Sequence, residues 1–103
     1  MERIQKLQEF LKVSPNDNFL KHALALEYIK VNDDGKAKEL FLEILTQSPD
    51  YVGSYYHLAK LLERTGETEA AILWYEKGMA TAKEMKDQHS YNELQAAYED
   101  LVY

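Results

Sequence analysis

The chain has no cysteine, only two prolines and only four glycines in 103 residues. Without cysteine there is no disulfide framework, no thiolate zinc site, no iron–sulfur cluster and no thiol nucleophile. Long apolar runs are missing as well. The longest mostly apolar stretch, Leu24-Ala25-Leu26-Glu27-Tyr28-Ile29, is already broken by a charge, whereas a membrane helix needs ~20 apolar residues. Met1-Glu2-Arg3-Ile4-Gln5-Lys6 opens directly on a charged amphipathic pattern, unlike the apolar run of a secretory signal. A cytoplasmic protein without membrane contact is expected. Basic side chains are in deficit, 12 Lys and Arg against 18 Asp and Glu, for a formal net charge of −6. Nucleic-acid binding depends on cations that neutralise phosphates, so no nucleic-acid partner is expected. The charge is spread evenly. Residues 1–51 carry seven basic and nine acidic groups, residues 52–103 five and nine, and no charged tail stands out.

Ala, Leu, Glu and Lys dominate what is present, while Val and Thr are scarce. That composition favours helix over strand. The length suits one domain, burying roughly two-thirds of its unfolded surface.

The sparse punctuation is regular. Pro15 and Pro49 stand 34 residues apart, each preceded by Ser. A proline disfavours helix in the residue before it, so Ser14-Pro15-Asn16 and Ser48-Pro49-Asp50 are expected to end one helix and offer an N-cap to the next. Asn32-Asp33-Asp34-Gly35 and Thr65-Gly66-Glu67-Thr68 mark turns within each period. At the same offset, Leu24-Ala25 aligns with Leu58-Ala59, Ala37 with Ala71, and Phe41 with Tyr75. The identities fall on small and apolar positions, as a structural repeat requires.

These residues resemble the tetratricopeptide repeat, a 34-residue helix–turn–helix unit of pattern W-x2-L-G-x2-Y, A-x3-F, P. The first repeat reads Lys21-x2-Leu24-Ala25-x2-Tyr28, Ala37-x3-Phe41, Pro49. The second reads Tyr55-x2-Leu58-Ala59-x2-Leu62, Ala71-x3-Tyr75, with Lys83 where proline is expected. Lys21 in the aromatic's place implies a weaker anchor, with Phe19 and Leu20 in support. With no proline at position 83, the helix is expected to run over roughly 68–85 and to break at Lys86-Asp87-Gln88. The segment 87–95 is similar to the tail of small stand-alone bacterial proteins of this type.

The resemblance implies an all-α superhelix of about six antiparallel helices, two full repeats with flanking helices. The expected divisions are a leading half-repeat helix (2–14), repeat one (15–48), repeat two (49–85) and a closing helix (88–102). It also implies a non-catalytic scaffold that presents a concave groove, lined by the first helix of each repeat, to a peptide or partner helix. The positions off the hairpin core there are Phe19, His22, Leu26 and Ile29 in repeat one, with Tyr56, Lys60 and Glu63 in repeat two. Phe19, Leu26 and Ile29 either form an apolar groove or are covered by a neighbouring helix. The alternative is a self-associating homodimer with its seam at the apolar ends of the stack or at Tyr98, Leu101, Val102 and Tyr103. Chaperone-binding members of the family hold an acidic C-terminal peptide with a Lys, Asn and Arg clamp. His22, Leu26 and His57 occupy the matching positions, so binding of such a tail is not expected.

No residue pattern points to catalysis, a metal or a cofactor. His22, His57 and His89 lack metal-ligand spacing, although His22 and His57 lie one repeat apart, offset by one residue. The carboxylates read as solvated helix faces, and the four glycines build no phosphate loop. Eight tyrosines, Trp74 and three phenylalanines lie mostly at core spacing, without the basic stripe that base stacking would need.

Overall fold

A computed structural model describes residues 2–103. Six α-helices follow in order: α1 (Glu2–Val13), α2 (Asn18–Lys30), α3 (Asp34–Gln47), α4 (Gly53–Arg64), α5 (Thr68–Glu84) and α6 (Gln88–Val102). They form two compact units, one running to Gln47 and the other from Ser48. In the first unit α2 packs against both α1 and α3; in the second α5 packs against both α4 and α6.

Small residues sit where neighbouring helices meet. Ala25 and Ala37 are fully buried in the first unit, as are Ala59 and Ala71 in the second. A methyl in place of a longer side chain lets two helix axes approach closely, and larger neighbours then fill the flanks. Leu24, Tyr28, Phe41, Ile44 and Leu45 do so in the first unit, and Leu58, Leu62, Tyr75 and Leu94 in the second. The second unit carries an even tighter approach at Gly78. A Cβ built there would lie 2.7 Å from the Cβ of Tyr55 on α4 and 3.0 Å from a methyl of Leu94 on α6. Those two helices therefore close on α5 at one point that only glycine leaves open.

The turns inside each unit share one design. Asn32, Gly66 and Lys86 have φ of 63°, 85° and 58°, the left-handed conformation that ends many helices. The residue after each donates its amide to the carbonyl five positions back: Asp33 to Tyr28 (2.9 Å), Glu67 to Leu62 and Asp87 to Ala82 (both 2.8 Å). Carbonyls that the helix end would orphan are thereby satisfied. In the first of these turns Asn32, not Gly35, takes the left-handed position, and Gly35 lies in the first turn of α3. Three aspartates open the following helices. Asp17 accepts from Leu20 N (3.1 Å), Asp33 from Lys36 N (3.2 Å) and Asp87 from Ser90 N (3.1 Å).

Several expectations need correcting. The cap of α2 is Asp17, one residue beyond Asn16. Asp50 does not cap α4 at all, because that helix begins after Val52, which makes no side-chain cap bond. Tyr55 instead secures that stretch by donating its hydroxyl to the Pro49 carbonyl (2.6 Å). The long helix runs past Lys83 to Glu84, one residue short of the expected 85, but Gln88 already belongs to α6, so the break is Met85-Lys86-Asp87. Lys21 is no weak anchor supported by Phe19. It is 3% exposed, with its Nζ 3.1 Å from a Glu43 carboxylate oxygen and 3.5 Å from Gln47 Oε1, while Phe19 stands 72% exposed. Glu43 is accordingly a counterion to a buried cation, not merely part of a solvated face. Removing one partner of such a pair costs about 3–5 kcal/mol when both are buried, and less here because Glu43 is half open to water.

Two substitutions test the glycine geometry in opposite directions. Lys86→Gly is expected to stabilise by up to about 1 kcal/mol by relieving a left-handed lysine, raising Tm by a few degrees. Gly78→Ala is expected to lose about 1–3 kcal/mol to overpacking, despite alanine's better helix propensity. Thermal melting followed by circular dichroism checks both, and a Gly78→Ala protein that melts above the parent contradicts the crossing described.

Candidate functional site

On α2 the positions 19, 22 and 26 recur at helical spacing and share one face. Phe19, His22 and Leu26 line a depression of about 340 Å³ together with Arg3 of α1 and with Glu27 and Lys30 of α2. Leu26 is half-buried, and His22 turns its ring edge-on to Phe41 at 5.6 Å. Ile29 is half-buried on the same helix but does not line the depression. At one end Glu27 accepts from Lys30 Nζ at 2.9 Å and lies 3.4 Å from Arg3 Nε. The Lys30 hydrogen bond, with the two cationic charges, holds the Glu27 carboxyl below its usual range. The rim of this depression is therefore charged at neutral pH.

The expected residues of the second unit sit on α4. Tyr56 is half-buried and meets the His57 ring edge-on at 5.5 Å. Lys60 is exposed, 3.7 Å from Glu63. Glu63 also accepts a 2.6 Å hydrogen bond from the Tyr75 hydroxyl of α5. Burial first, and that bond second, push the Tyr75 phenol far above its ordinary value, so it stays a donor. Glu63 is thus committed in part to holding α4 on α5. Phe19, His22 and Leu26 are brought together on the first unit, and Tyr56, Lys60 and Glu63 share α4 on the second.

Residue spacing did not disclose Arg3 or Glu27. Both enter through the pairing of α1 with α2, which no local pattern encodes. His22 and His57 engage aromatic rings within their own units, and among the described residues no three His, Cys, Asp or Glu side chains converge as metal ligands would. The C-terminal seam is mostly occupied. The Tyr98 hydroxyl donates to Glu76 (3.2 Å), Leu101 and Val102 are half-buried, and only Tyr103 is fully open. Among the described residues no helix is long and apolar enough to cross a membrane.

Residues 52–84 match the tetratricopeptide repeat pattern. A tetratricopeptide repeat domain protein of Salinibacter ruber is 42% identical. Its crystal structure aligns over 82% of this chain and 94% of that one with a TM-score of 0.79; its solution structure aligns over 85% and 89% with a TM-score of 0.82. This chain belongs to the tetratricopeptide repeat family. The TPR2B domain of yeast Sti1, solved in complex with pHsp70, shares the fold at 17% identity over 95% of this chain and 78% of that one, with a TM-score of 0.88. Human aspartyl/asparaginyl beta-hydroxylase is 26% identical over 73 residues, which is 71% of this chain, and this chain spans about a tenth of that enzyme's length. The tetratricopeptide repeat fold is generally a protein-interaction module, and such domains are typically non-catalytic.

His57 gives this tetratricopeptide repeat protein a testable pH dependence. Burial is the main cause that lowers its imidazole below the ordinary 6.5, and Glu93 of α6 opposes it in part. The unfolded chain therefore takes up the proton first as pH falls. Stability is full above pH 6.5 and is lost as pH drops from there through the folded value. Urea unfolding at pH 7.5 and 5.5 should show the parent losing more stability on acidification than His57→Gln. An equal loss in both proteins contradicts this account of His57.

Proposed function

We propose that this protein is a non-catalytic adaptor that binds a peptide or helix of a protein partner. The contacts assigned are Phe19, His22, Leu26 and Ile29 of α2, with Tyr56, Lys60 and Glu63 of α4. The repeat divisions proposed with it are 2–14, 15–48, 49–85 and 88–102. One observation carries the reading most directly. Phe19 is 72% exposed at the edge of a depression that it shares with Ala23 and Leu26, and an open apolar patch, unlike a lone exposed side chain, marks an interaction site. The family's general role supports it, as does the complexed state of the Sti1 domain of like fold. On α4, Lys60 and Glu63 offer a charged pair, with Glu63 fixed by Tyr75.

Site-specific photo-crosslinking in cells that express the protein natively tests the proposal. A benzophenone side chain at position 19 or 56 is expected to give discrete adducts with another protein. The same group at the exposed Leu73 of α5 is expected to give none. Equal yields at all three positions, or adducts only with a second copy of the chain, overturn the adaptor reading.

A further inference from the structure

Three of the seven large apolar side chains that stand open among the described residues fall within ten positions. Phe10 is 57% exposed, Val13 84% and Phe19 72%. They flank the connection between α1 and α2. Only four residues, 14–17, join the two helices, so the last turn of α1 and the first turn of α2 lie together, while further along Arg3 stands 3.4 Å from Glu27 and Gln8 donates to the Tyr28 hydroxyl at 2.9 Å. Phe10 and Phe19 therefore lie toward one end of the pair, and Arg3 and Lys30 toward the other. A depression of about 440 Å³ lined by Arg3, Lys6, Leu7 and Phe10 adjoins the one of about 340 Å³ described above, and Arg3 lines both. Together they form one surface along the α1–α2 pair, aromatic at one end and basic at the other.

The charge of this region runs against the rest of the chain. Residues 2–31 hold five basic and four acidic groups, and with Lys21 buried against Glu43 the stretch is near neutral, whereas residues 32–103 hold seven and fourteen. Among the described residues that line the two depressions, Arg3, Lys6 and Lys30 stand with two acids, Glu2 and Glu27. Both acids are already engaged, Glu2 at 3.6 Å from Lys6 and Glu27 between Arg3 and Lys30. A net positive charge remains beside exposed aromatics in a chain of net −6.

We infer that the α1–α2 surface receives an acidic amphipathic helix of a partner protein. Its apolar stripe covers Phe10, Phe19 and Leu26, and its carboxylates face Arg3, Lys6 and Lys30. Desolvated aromatic contact supplies affinity, and opposite charge selects and orients the segment. A second copy of the chain is a poorer occupant. Its own acidic helix, α6, carries no Lys or Arg but keeps Leu94 and Ala97 buried within its unit, so the apolar half of the match is not on offer. The inference rests on the adaptor reading for α2, extends the contact to α1 and names the partner's chemistry.

The test uses two synthetic helical peptides with one shared apolar stripe, their polar positions filled with Glu and Asp in one and with Lys and Arg in the other. Each is titrated into the isotopically labelled full chain and followed by amide chemical shifts. The acidic peptide is expected to shift amides of residues 3–13 and 19–30, and to bind at least about tenfold more tightly than the basic one at low salt. That preference should fall in high salt. The double variant Arg3→Glu/Lys6→Glu should abolish the preference, while Lys83→Glu on α5 should keep it. Equal binding of both peptides on this face overturns the charge assignment and leaves the docking face standing. No shift on this face at millimolar peptide, or shifts there that follow protein concentration alone, overturns the inference outright. The cross-linking experiment at positions 19 and 56 then decides the adaptor reading separately.

Discussion

Each unit depends on how closely two helix axes can approach. Ala25 and Ala37 permit this in the first unit, Ala59 and Ala71 in the second, and Gly78 brings α5 within contact of both Tyr55 and Leu94. Close approach places leucine and aromatic side chains in mutual contact, and the summed dispersion and apolar burial stabilise the hairpins far more than helix propensity does. The left-handed turn residues Asn32, Gly66 and Lys86 follow from the same requirement. A hairpin with so short a gap between axes needs a short, sharply reversing connection.

On α2 and α4, packing fixes one side of the helix and leaves a margin outside the core. On α2, Leu24, Ala25 and Tyr28 face the core, so Phe19 and Leu26 are left at the outer margin. On α4 the corresponding margin is polar, with Lys60 exposed and Glu63 held by Tyr75. The contrast between the two faces is chemical, apolar with basic edges on one and hydroxyl with charged pairs on the other. Phe19, 72% exposed on the first of these margins, is the residue on which the proposed partner contact rests.

The helical architecture was legible because it rests on local spacing. Pro15 and Pro49 set the period, and the alanines at matching offsets identified the crossings. The lack of a proline at position 83 foretold the length of α5, which extends to Glu84. What escaped was set by contacts distant in sequence or by backbone choice at single residues. Lys21 looked like a poor substitute for an aromatic, because its counterion Glu43 lies 22 positions away on another helix. Asp17 and Asn16 are both competent caps, and only the trajectory into α2 selects the aspartate. Lysine carries no propensity for the left-handed region, so Lys86 gave no warning of its conformation. Arg3 joined the site through the pairing of α1 with α2, a register that amphipathic pattern alone leaves free.

Hydrogen exchange at single-amide resolution tests the dependence on close crossings most directly. Amides in the buried crossing segments around Ala25, Ala59, Ala71 and Gly78 should be the slowest to exchange within their own units. Those of the exposed last turn of α1, from Phe10 to Val13, should exchange many times faster. Comparable protection in the crossing segments and in that last turn would contradict the claim that helix approach at small residues holds the fold together.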